Sequence, residues 1–189
     1  MSNQFYQTKA NVEEYIKMAE GFDGRELLEK LHQYLPSNSV LLEIGSGPGT
    51  DFQILKQQYR VVGSDFSTEF LKWLNQNNKY DEFLNLNAVT LNTDKKFDGI
   101  YSNKVLQHLT DDELKTSIQR QCAILNPGGI ICHSFWKGEG EEVFNGMLVN
   151  YQTEGILRKL FAEDFEILLL EDYKEFEDGD SLFLIGKKL

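Results

Sequence analysis

Three glycines within five residues, directly after a short apolar run, constrain this chain more than any other feature. The segment reads Leu41-Leu42-Glu43-Ile44-Gly45-Ser46-Gly47-Pro48-Gly49-Thr50-Asp51. Glycine lets the backbone turn tightly and lets a ligand approach it closely, and the start of the next helix supplies unpaired N–H groups. The segment therefore predicts a strand, a ligand-binding turn and a helix in succession.

Short apolar runs alternate with amphipathic segments through most of the chain. They predict strands at Val40–Ile44, Arg60–Ser64, Glu82–Leu86, Phe97–Ser102 and Ile130–Phe135, and helices at Asp51–Gln58, Ser67–Gln76, Asp111–Leu125 and Gly155–Phe161. Such alternation favours an α/β fold, in which helices cover both faces of a parallel sheet. Two last apolar runs, Phe165–Tyr173 and Ser181–Gly186, flank Asp178-Gly179, which predicts an antiparallel hairpin.

Two amphipathic segments precede the first strand. Asn11–Glu20 and Arg25–Leu35 carry apolar residues at helical spacing, glycines 21 and 24 separate them, and Pro36 ends the second. With 189 residues, 41% of them hydrophobic, the chain has the size and apolar content of one compact domain. We therefore expect a single domain with two extra N-terminal helices.

An acidic residue follows the second predicted strand. Asp65 ends Val61-Val62-Gly63-Ser64-Asp65, about 20 residues after the first glycine, where a carboxylate accepts hydrogen bonds from the ribose of an adenosine ligand. The glycines read G-x-G-x-G rather than the G-x-G-x-x-G of dinucleotide sites. Because Pro48 and acidic Asp51 follow, the loop suits an adenosine ligand without a pyrophosphate, which disfavours a nicotinamide-dependent oxidoreductase.

Several segments together resemble class I S-adenosylmethionine-dependent methyltransferases. Glu43-x-Gly45-x-Gly47-x-Gly49 is similar to their first motif and Val62-Gly63-Ser64-Asp65-Phe66-Ser67 to their second. Phe97-Asp98-Gly99-Ile100-Tyr101-Ser102 resembles their fourth strand, and Leu125-Asn126-Pro127-Gly128-Gly129 the turn before their fifth. The resemblance extends over roughly residues 40–189.

The resemblance implies a Rossmann-like three-layer sandwich around a seven-stranded, mostly parallel sheet, whose last strand is antiparallel between its neighbours. Residues 37–189 would form the core that binds S-adenosyl-L-methionine and releases S-adenosyl-L-homocysteine. Residues 1–36 would form a helical cap or lid, with Tyr15 or Met18 near the methionine end of the cofactor.

The resemblance also assigns cofactor contacts. Glu43, Gly45 and Gly47 would surround the methionine part, Asp65 the ribose, and Asn87-Ala88 the adenine, with Asn87 in place of the commoner aspartate. Ser46 and Asn103 complete the predicted cofactor-binding set. Phe66 packs either on the adenine or in the core, as most phenylalanines do.

Substrate-side candidates are fewer. His108 either acts on the substrate as a base or binds the backbone near the helix that begins after Thr110. The flexible acidic stretch Lys137–Glu142 either forms a wall of the pocket or stays outside it with Trp136 packed beneath. Glu171–Asp180 is interpreted as a solvated turn.

The composition of the chain argues against several classes of partner. A net charge of -11 repels phosphate backbones, which argues against a nucleic-acid substrate. The chain has no run of about 20 apolar residues that would span a membrane, so we expect a cytoplasmic protein. Neither the two cysteines nor any histidine or carboxylate cluster has metal-ligand spacing, so we expect metal-free chemistry. The sequence carries no signal for an oligomeric state.

These observations lead to one functional hypothesis and one alternative. The first is direct in-line transfer of a methyl group from S-adenosylmethionine to an oxygen, nitrogen or sulfur nucleophile of a small molecule. A cationic sulfonium is already a good leaving group, so positioning can supply most of the catalysis. The alternative is a protein of the same fold that binds the cofactor, or another partner, without turnover.

Overall fold

The computed structural model describes residues 4–144 and 146–189, so residues 1–3 of the predicted cap and Asn145 lie outside the described residues. Its helices are α1 (Lys9–Met18), α2 (Arg25–Leu31), α3 (Thr50–Leu55), α4 (Thr68–Asn77), α5 (Asp111–Ile124) and α6 (Glu154–Phe161), with 3-10 turns at Gln4–Gln7 and Leu106–His108. Its strands are β1 (Val40–Ile44), β2 (Arg60–Asp65), β3 (Glu82–Asn85), β4 (Phe97–Ser102), β5 (Leu125–Trp136), β6 (Glu141–Phe144), β7 (Met147–Asn150), β8 (Phe165–Tyr173) and β9 (Ser181–Lys188).

One seven-stranded sheet organises the molecule, in the order β3-β2-β1-β4-β5-β9-β8. β9 is antiparallel to both of its neighbours, while the other six strands run in one direction. The predicted sheet, with its last strand antiparallel between two others, is confirmed. β1 lies between β2 and β4, so the chain leaves β1 at the point where the strand order reverses, which is where ligands bind in such sheets.

Successive side chains of the central strands pack on opposite faces of the sheet. Leu41, Tyr101 and Cys132 join a buried cluster with leucines of α2 and Leu55 of α3. Their chain neighbours Leu42, Ile100 and Ile131 join a second cluster with apolar residues of α5 and α6. Because a strand alternates its side chains, each strand serves two layers, and the predicted three-layer sandwich is confirmed.

The N-terminal segment contains the two predicted helices, displaced by a few residues. α1 begins at Lys9 rather than Asn11, because the Thr8 side chain accepts a hydrogen bond from the Asn11 backbone and so caps the helix. α2 ends at Leu31 rather than Leu35 and continues as turns. In the described part of the chain no helix is both long and apolar enough to cross a membrane.

The hairpin β6–β7 was not predicted. The sequence indicated a flexible acidic stretch at Lys137–Glu142, whereas Glu141 and Glu142 begin β6, which pairs with β7. All four residues of β7 are buried, and the Asn150 amide donates hydrogen bonds to the Leu109 carbonyl at 3.0 Å and to Asp111 at 2.9 Å. Burial of β7 against the turn after β4 therefore orders a segment whose composition suggested a loop.

Candidate functional site

A cavity of about 330 Å³ opens at the carboxyl ends of β1, β2 and β4. All ten site residues predicted from the sequence line it: Glu43, Gly45, Ser46, Gly47, Asp65, Phe66, Asn87, Ala88, Asn103 and His108. The segment from Tyr6 to Asp23 contributes the opposite side. The fold thus brings residues that lie up to about 170 positions apart to one site at the switch point of the sheet.

The glycine loop owes its shape to backbone angles that favour glycine. Gly45, Gly47 and Gly49 have φ values of 72°, 48° and 87°. A Cβ atom on Gly45 would lie 2.5 Å from Val105 Cγ2, whereas one on Gly47 would find its nearest neighbour, Tyr15 Cε1, 4.0 Å away. Gly45 is therefore required for packing, while the backbone at Gly47 faces open space beneath Tyr15.

Asp65 ties this loop to the end of β2. One of its carboxylate oxygens accepts a hydrogen bond from the Gly47 backbone at 3.0 Å, and the other accepts one from the Ser67 backbone at 2.8 Å. Removal from water raises the pKa of Asp65, and these backbone N–H groups partly oppose the rise. Since a carboxylate has about four acceptor positions, Asp65 retains acceptor capacity for a ligand.

Ser46 makes the same connection one residue earlier. Its backbone N–H donates to the Ser64 carbonyl at 2.8 Å, and its hydroxyl oxygen accepts from the Ser64 backbone at 3.1 Å. The loop therefore continues the hydrogen bonding between β1 and β2 beyond the last strand residues, which keeps it rigid.

Glu43 is the least satisfied polar group of the site. Its side chain is 3% exposed, and its Oε2 atom has no hydrogen-bond partner among the described residues. Burial first, and then the nearby charges of Asp51 and Asp65, raise the pKa of Glu43 to about 8, although Ser46 acts in the opposite direction. An unpaired buried carboxyl of this kind is costly for folding and suits a ligand that carries a hydrogen-bond donor or positive charge.

Asp51, whose negative charge disfavours a pyrophosphate, also connects three parts of the site. Its carboxylate accepts hydrogen bonds from the Gly24 backbone at 2.7 Å, the Tyr101 hydroxyl at 2.7 Å and the Asn103 amide at 3.1 Å. It thereby joins the start of α2, the end of β4 and the glycine loop. The available signal was its position in the first turn of α3, next to the expected ligand.

The adenine side of the predicted site contains an exposed ring and a tight turn. Phe66 is 48% exposed, so the core alternative for this residue is wrong. The Asn87 side-chain oxygen accepts hydrogen bonds from the backbones of Val89 at 2.8 Å and Thr90 at 3.3 Å. Asn87 therefore closes its own turn, and this presents the backbone around Ala88 to the cavity.

Aromatic rings cover the cavity. Tyr6, Tyr15 and Phe70 form a cluster with ring centroids 5.3–5.7 Å apart, and the Ser67 hydroxyl donates to the Tyr6 carbonyl. Of the two residues predicted near the methionine end, Tyr15 lines the cavity, whereas Met18 is 54% exposed and lies outside its lining. α1 is thus held across the cavity by contacts with α4.

His108 both lines the cavity and binds backbone. Its Nδ1 atom lies 2.6 Å from the Leu148 carbonyl of β7. Because a carbonyl only accepts, Nδ1 carries the proton and Nε2 keeps its lone pair. Burial lowers the pKa of His108, which favours this neutral form. The backbone contact anticipated near Thr110 is instead made to β7.

The remaining end of the cavity contains residues that the sequence did not single out. Glu175 and Lys104 line it, while Lys137–Glu142, the predicted alternative wall, does not. The turn after β8 is not merely solvated, because Asp180 accepts hydrogen bonds from the backbones of residues 175–177, each at 2.9 Å. Since β8 runs parallel to the central strands, this turn emerges at the same edge of the sheet as the glycine loop.

Lys104 has an unusual environment at that end. Its backbone adopts φ 55°, and its Nζ atom donates to the Phe135 carbonyl at 3.1 Å and to the Ser181 hydroxyl at 2.5 Å. The same atom lies 3.5 Å from the centre of the Trp136 ring. Burial lowers the pKa of Lys104 to about 7, although Glu175 and Asp180 oppose this effect. Among the described residues, no group of three or more histidine, cysteine or carboxylate side chains is arranged to hold a metal ion.

Comparisons with known proteins agree with this architecture. Residues 41–129 match the family described as "Methyltransferase domain", and no curated protein matches the chain. The 1,6-didemethyltoxoflavin-N1-methyltransferase of Burkholderia thailandensis, solved with 1,6-didemethyltoxoflavin and S-adenosylhomocysteine, has a TM-score of 0.74 at 24% identity over 87% of this chain and 77% of its own.

Two further solved structures have the same fold at lower identity. An S-adenosylmethionine-dependent methyltransferase from Clostridium acetobutylicum has a TM-score of 0.77 at 12% identity, covering 93% of this chain and 98% of its own. An amino pentose methyltransferase from Micromonospora echinaspora, solved with S-adenosylmethionine, has a TM-score of 0.76 at 16% identity, covering 94% of this chain and 97% of its own.

The pKa of Glu43 predicts how stability depends on pH. The folded value of about 8 lies above the usual 4.5, so the folded chain keeps a proton that the unfolded chain releases. Stability relative to Glu43→Gln should therefore fall as the pH rises from about 4.5 to about 8, by about 1.4 kcal/mol per unit at most. Urea unfolding at pH 5, 6.5 and 8 measures this, with exposed Glu166→Gln as the control. Parallel pH profiles for the wild type and Glu43→Gln would contradict the assignment.

Proposed function

We propose that the chain is a class I S-adenosylmethionine-dependent methyltransferase and that it methylates an oxygen, nitrogen or sulfur nucleophile of a small molecule. The match of residues 41–129 to the methyltransferase family and the shared fold support this proposal. The observation that carries the proposal is the cavity at the end of β1, where a rigid glycine loop and three acidic side chains meet. The two neighbours named above by their substrates, 1,6-didemethyltoxoflavin and an amino pentose, support a small acceptor.

The residues at the cavity fit S-adenosylmethionine, the cofactor of this family. Asp65 retains acceptor positions for the two neutral hydroxyls of a ribose. The orphaned carboxyl oxygen of Glu43 suits the ammonium of the methionine part, and the open space at Gly47 allows close approach of that part to the backbone. Phe66 offers an exposed ring for the adenine, beside the turn at Asn87 and Ala88.

The chain's contribution to the reaction is positioning and exclusion of water. When bound, S-adenosylmethionine supplies a methyl group on a sulfonium, a leaving group that needs no protonation. Asp65, Ser46 and Asp51 fix the loop and the end of β4, so the reacting groups are held by strand ends rather than by mobile loops. Tyr15 and its aromatic neighbours cover the cavity, which reduces access of water.

We expect Asp65 to bind both ribose hydroxyls. Wild-type protein should bind 2′-deoxy and 3′-deoxy S-adenosylhomocysteine each roughly 10- to 100-fold more weakly than the parent compound, because a hydrogen bond to a charged group contributes about 1.5–3 kcal/mol. Asp65→Ala should bind all three compounds with nearly equal affinity. Isothermal titration calorimetry provides the six dissociation constants.

The ratio of affinities, rather than the absolute loss, is the decisive quantity, because Asp65 also holds the loop through Gly47. Any general distortion in Asp65→Ala lowers the affinity of all three compounds alike. If Asp65→Ala kept the wild-type discrimination against the deoxy compounds, the placement of the ribose at Asp65 would be wrong.

We propose that residues 1–36, which include α1, act as a lid. S-adenosylhomocysteine should slow amide hydrogen exchange across residues 9–18, because Tyr15 contacts the space above Gly47 and a ligand there adds packing partners. Exchange in α6, whose residues lie outside the cavity lining, serves as the internal control. Equal exchange of residues 9–18 with and without ligand would make α1 a packing element only.

We expect His108 to contribute only modestly to the rate of methyl transfer. His108→Ala should lower the rate of S-adenosylhomocysteine formation by roughly tenfold or less without abolishing it, since a sulfonium leaving group needs no acid and a general base is worth about 10²–10⁴-fold. The assay uses a panel of small amines, phenols, thiols and carboxylic acids in the presence of a chelator, with His32→Ala, outside the cavity, as control.

Two results would revise this mechanism. A loss of about 10²–10⁴-fold in His108→Ala, with unchanged affinity for S-adenosylhomocysteine, would make the histidine a general base. Activity that disappears with chelator and returns with Mg²⁺ would contradict metal-free transfer.

A further inference from the structure

We propose that the methyl acceptor is an amine, bound at the end of the cavity formed by Phe22, Asp23 and Glu175 and methylated on its nitrogen. This inference rests on the proposed function and narrows its substrate class. It depends on three observations: the sign of charge around the cavity, the placement of Glu175, and the exposed aromatic rings beside it.

The cavity carries far more negative than positive groups. Its described lining includes six carboxyl side chains: Asp23, Glu43, Asp51, Asp65, Glu113 and Glu175. Burial raises the pKa of Glu43 to about 8, so this side chain adds little negative charge at neutral pH. Lys104 is the one lysine or arginine in that lining; Glu175 favours its charged form, and Arg25, outside the lining, pairs with Asp23 at 3.3 Å.

The negative potential of the cavity affects the possible nucleophiles differently, because their reactions with the sulfonium place charge on different atoms. An amine that has given up any ammonium proton to water uses its lone pair to form a bond to the methyl carbon, while the carbon–sulfur bond breaks and its electron pair stays on sulfur. The positive charge passes from sulfur to nitrogen, and the nitrogen then releases its extra proton to water. A phenol or thiol must first become an anion, and its reaction with the sulfonium cancels both charges.

Surrounding carboxylates therefore favour the amine. They stabilise positive charge on sulfur and, during transfer, on nitrogen, because the charge stays in the cavity until the product nitrogen releases its proton. The same carboxylates disfavour a phenolate or thiolate within it, since like charges repel strongly in a partly dry site. A negative cavity thus favours methylation of an amine, in which the positive charge passes from sulfur to nitrogen, over methylation of a phenolate or thiolate.

Glu175 is held where it can act on the acceptor. One of its oxygens accepts a hydrogen bond from the Tyr173 hydroxyl at 2.8 Å, and its backbone N–H donates to Asp180 at 2.9 Å, so the side chain sits on a pinned turn. Burial and the negative charges of Asp65, Asp51 and Glu175 raise the pKa of Tyr15. The charges of these three carboxylates are therefore all felt at Tyr15, one of the aromatic residues that cover the cavity.

Flat rings stand beside this carboxylate. Phe22 and Phe176 are 50% and 59% exposed, with centroids 5.4 Å apart, and Phe176 stacks on Trp136 at 5.7 Å. Exposed rings bordering an acidic pocket bind cationic and planar nitrogen compounds through their faces. The rings of Phe22 and Phe176 beside the Glu175 carboxylate therefore offer an amine both a ring face and a negative charge.

The first test measures charge preference without knowledge of the acceptor. Sinefungin resembles S-adenosylhomocysteine but places a primary ammonium where the transferred methyl group would be. Wild-type protein should bind sinefungin more tightly than S-adenosylhomocysteine. Glu175→Gln should reduce the ratio of the two affinities by at least about fivefold, because it removes a nearby negative charge. Glu177→Gln, an exposed change of equal charge in the same turn, should leave the preference unaltered.

The second test compares matched acceptors: aniline, phenol and thiophenol, and their benzyl homologues, with S-adenosylhomocysteine formation as the readout. We expect the amine of each set to have the highest kcat/KM, and Glu175→Gln to lower it for the amine. Faster turnover of a phenol or thiol than of its matched amine would overturn the inference.

The outcomes separate the two proposals. An unchanged preference for sinefungin in Glu175→Gln, with S-adenosylhomocysteine still bound, would overturn the amine assignment and leave the proposed function standing. Failure of the wild-type protein to bind S-adenosylhomocysteine would instead overturn the proposed function, and the inference that rests on it.

Discussion

The hydrogen bond from the Gly47 backbone to Asp65 is the interaction on which the site depends. It joins the turn after β1 to the end of β2 across 3.0 Å, and the second oxygen of the same carboxylate holds the start of α4 through Ser67. The sheet brings these two strand ends together, and three glycines with positive φ allow the loop to reach the carboxylate. One side chain thus fixes the loop and still presents acceptor positions to the cavity.

Two acidic side chains at the cavity suit a cationic ligand. Glu43 is buried without a full set of partners, and Asp51 requires three donors from separate parts of the chain to be satisfied. A group that must lose water in the free protein is stabilised when a ligand of opposite charge arrives. S-adenosylmethionine, with a sulfonium and an ammonium, is such a ligand, and the amine acceptor that we propose would place a second cationic group at the far end of the cavity.

The fold and the residues predicted to bind the cofactor could be inferred from the sequence because both inferences depend on local patterns, and the structure confirms the fold. The alternation of strands and helices, the turn at Asp178-Gly179 and the glycine loop each leave a signal within a short window, and the ten predicted residues line one cavity. Glu175 and Lys104 were missed because their positions depend on the direction of β8 and on long-range packing. The hairpin β6–β7 was missed for the same reason, since only burial against the turn after β4 distinguishes it from a loop.

If the glycine loop is built for S-adenosylmethionine rather than for a dinucleotide, the protein should discriminate between these ligands. The most direct measurement is a pair of calorimetric titrations of the purified protein, one with S-adenosylhomocysteine and one with NADH, under the same conditions. We expect saturable binding of one S-adenosylhomocysteine per chain and no measurable binding of NADH. Binding of NADH, or no binding of S-adenosylhomocysteine, would contradict this expectation.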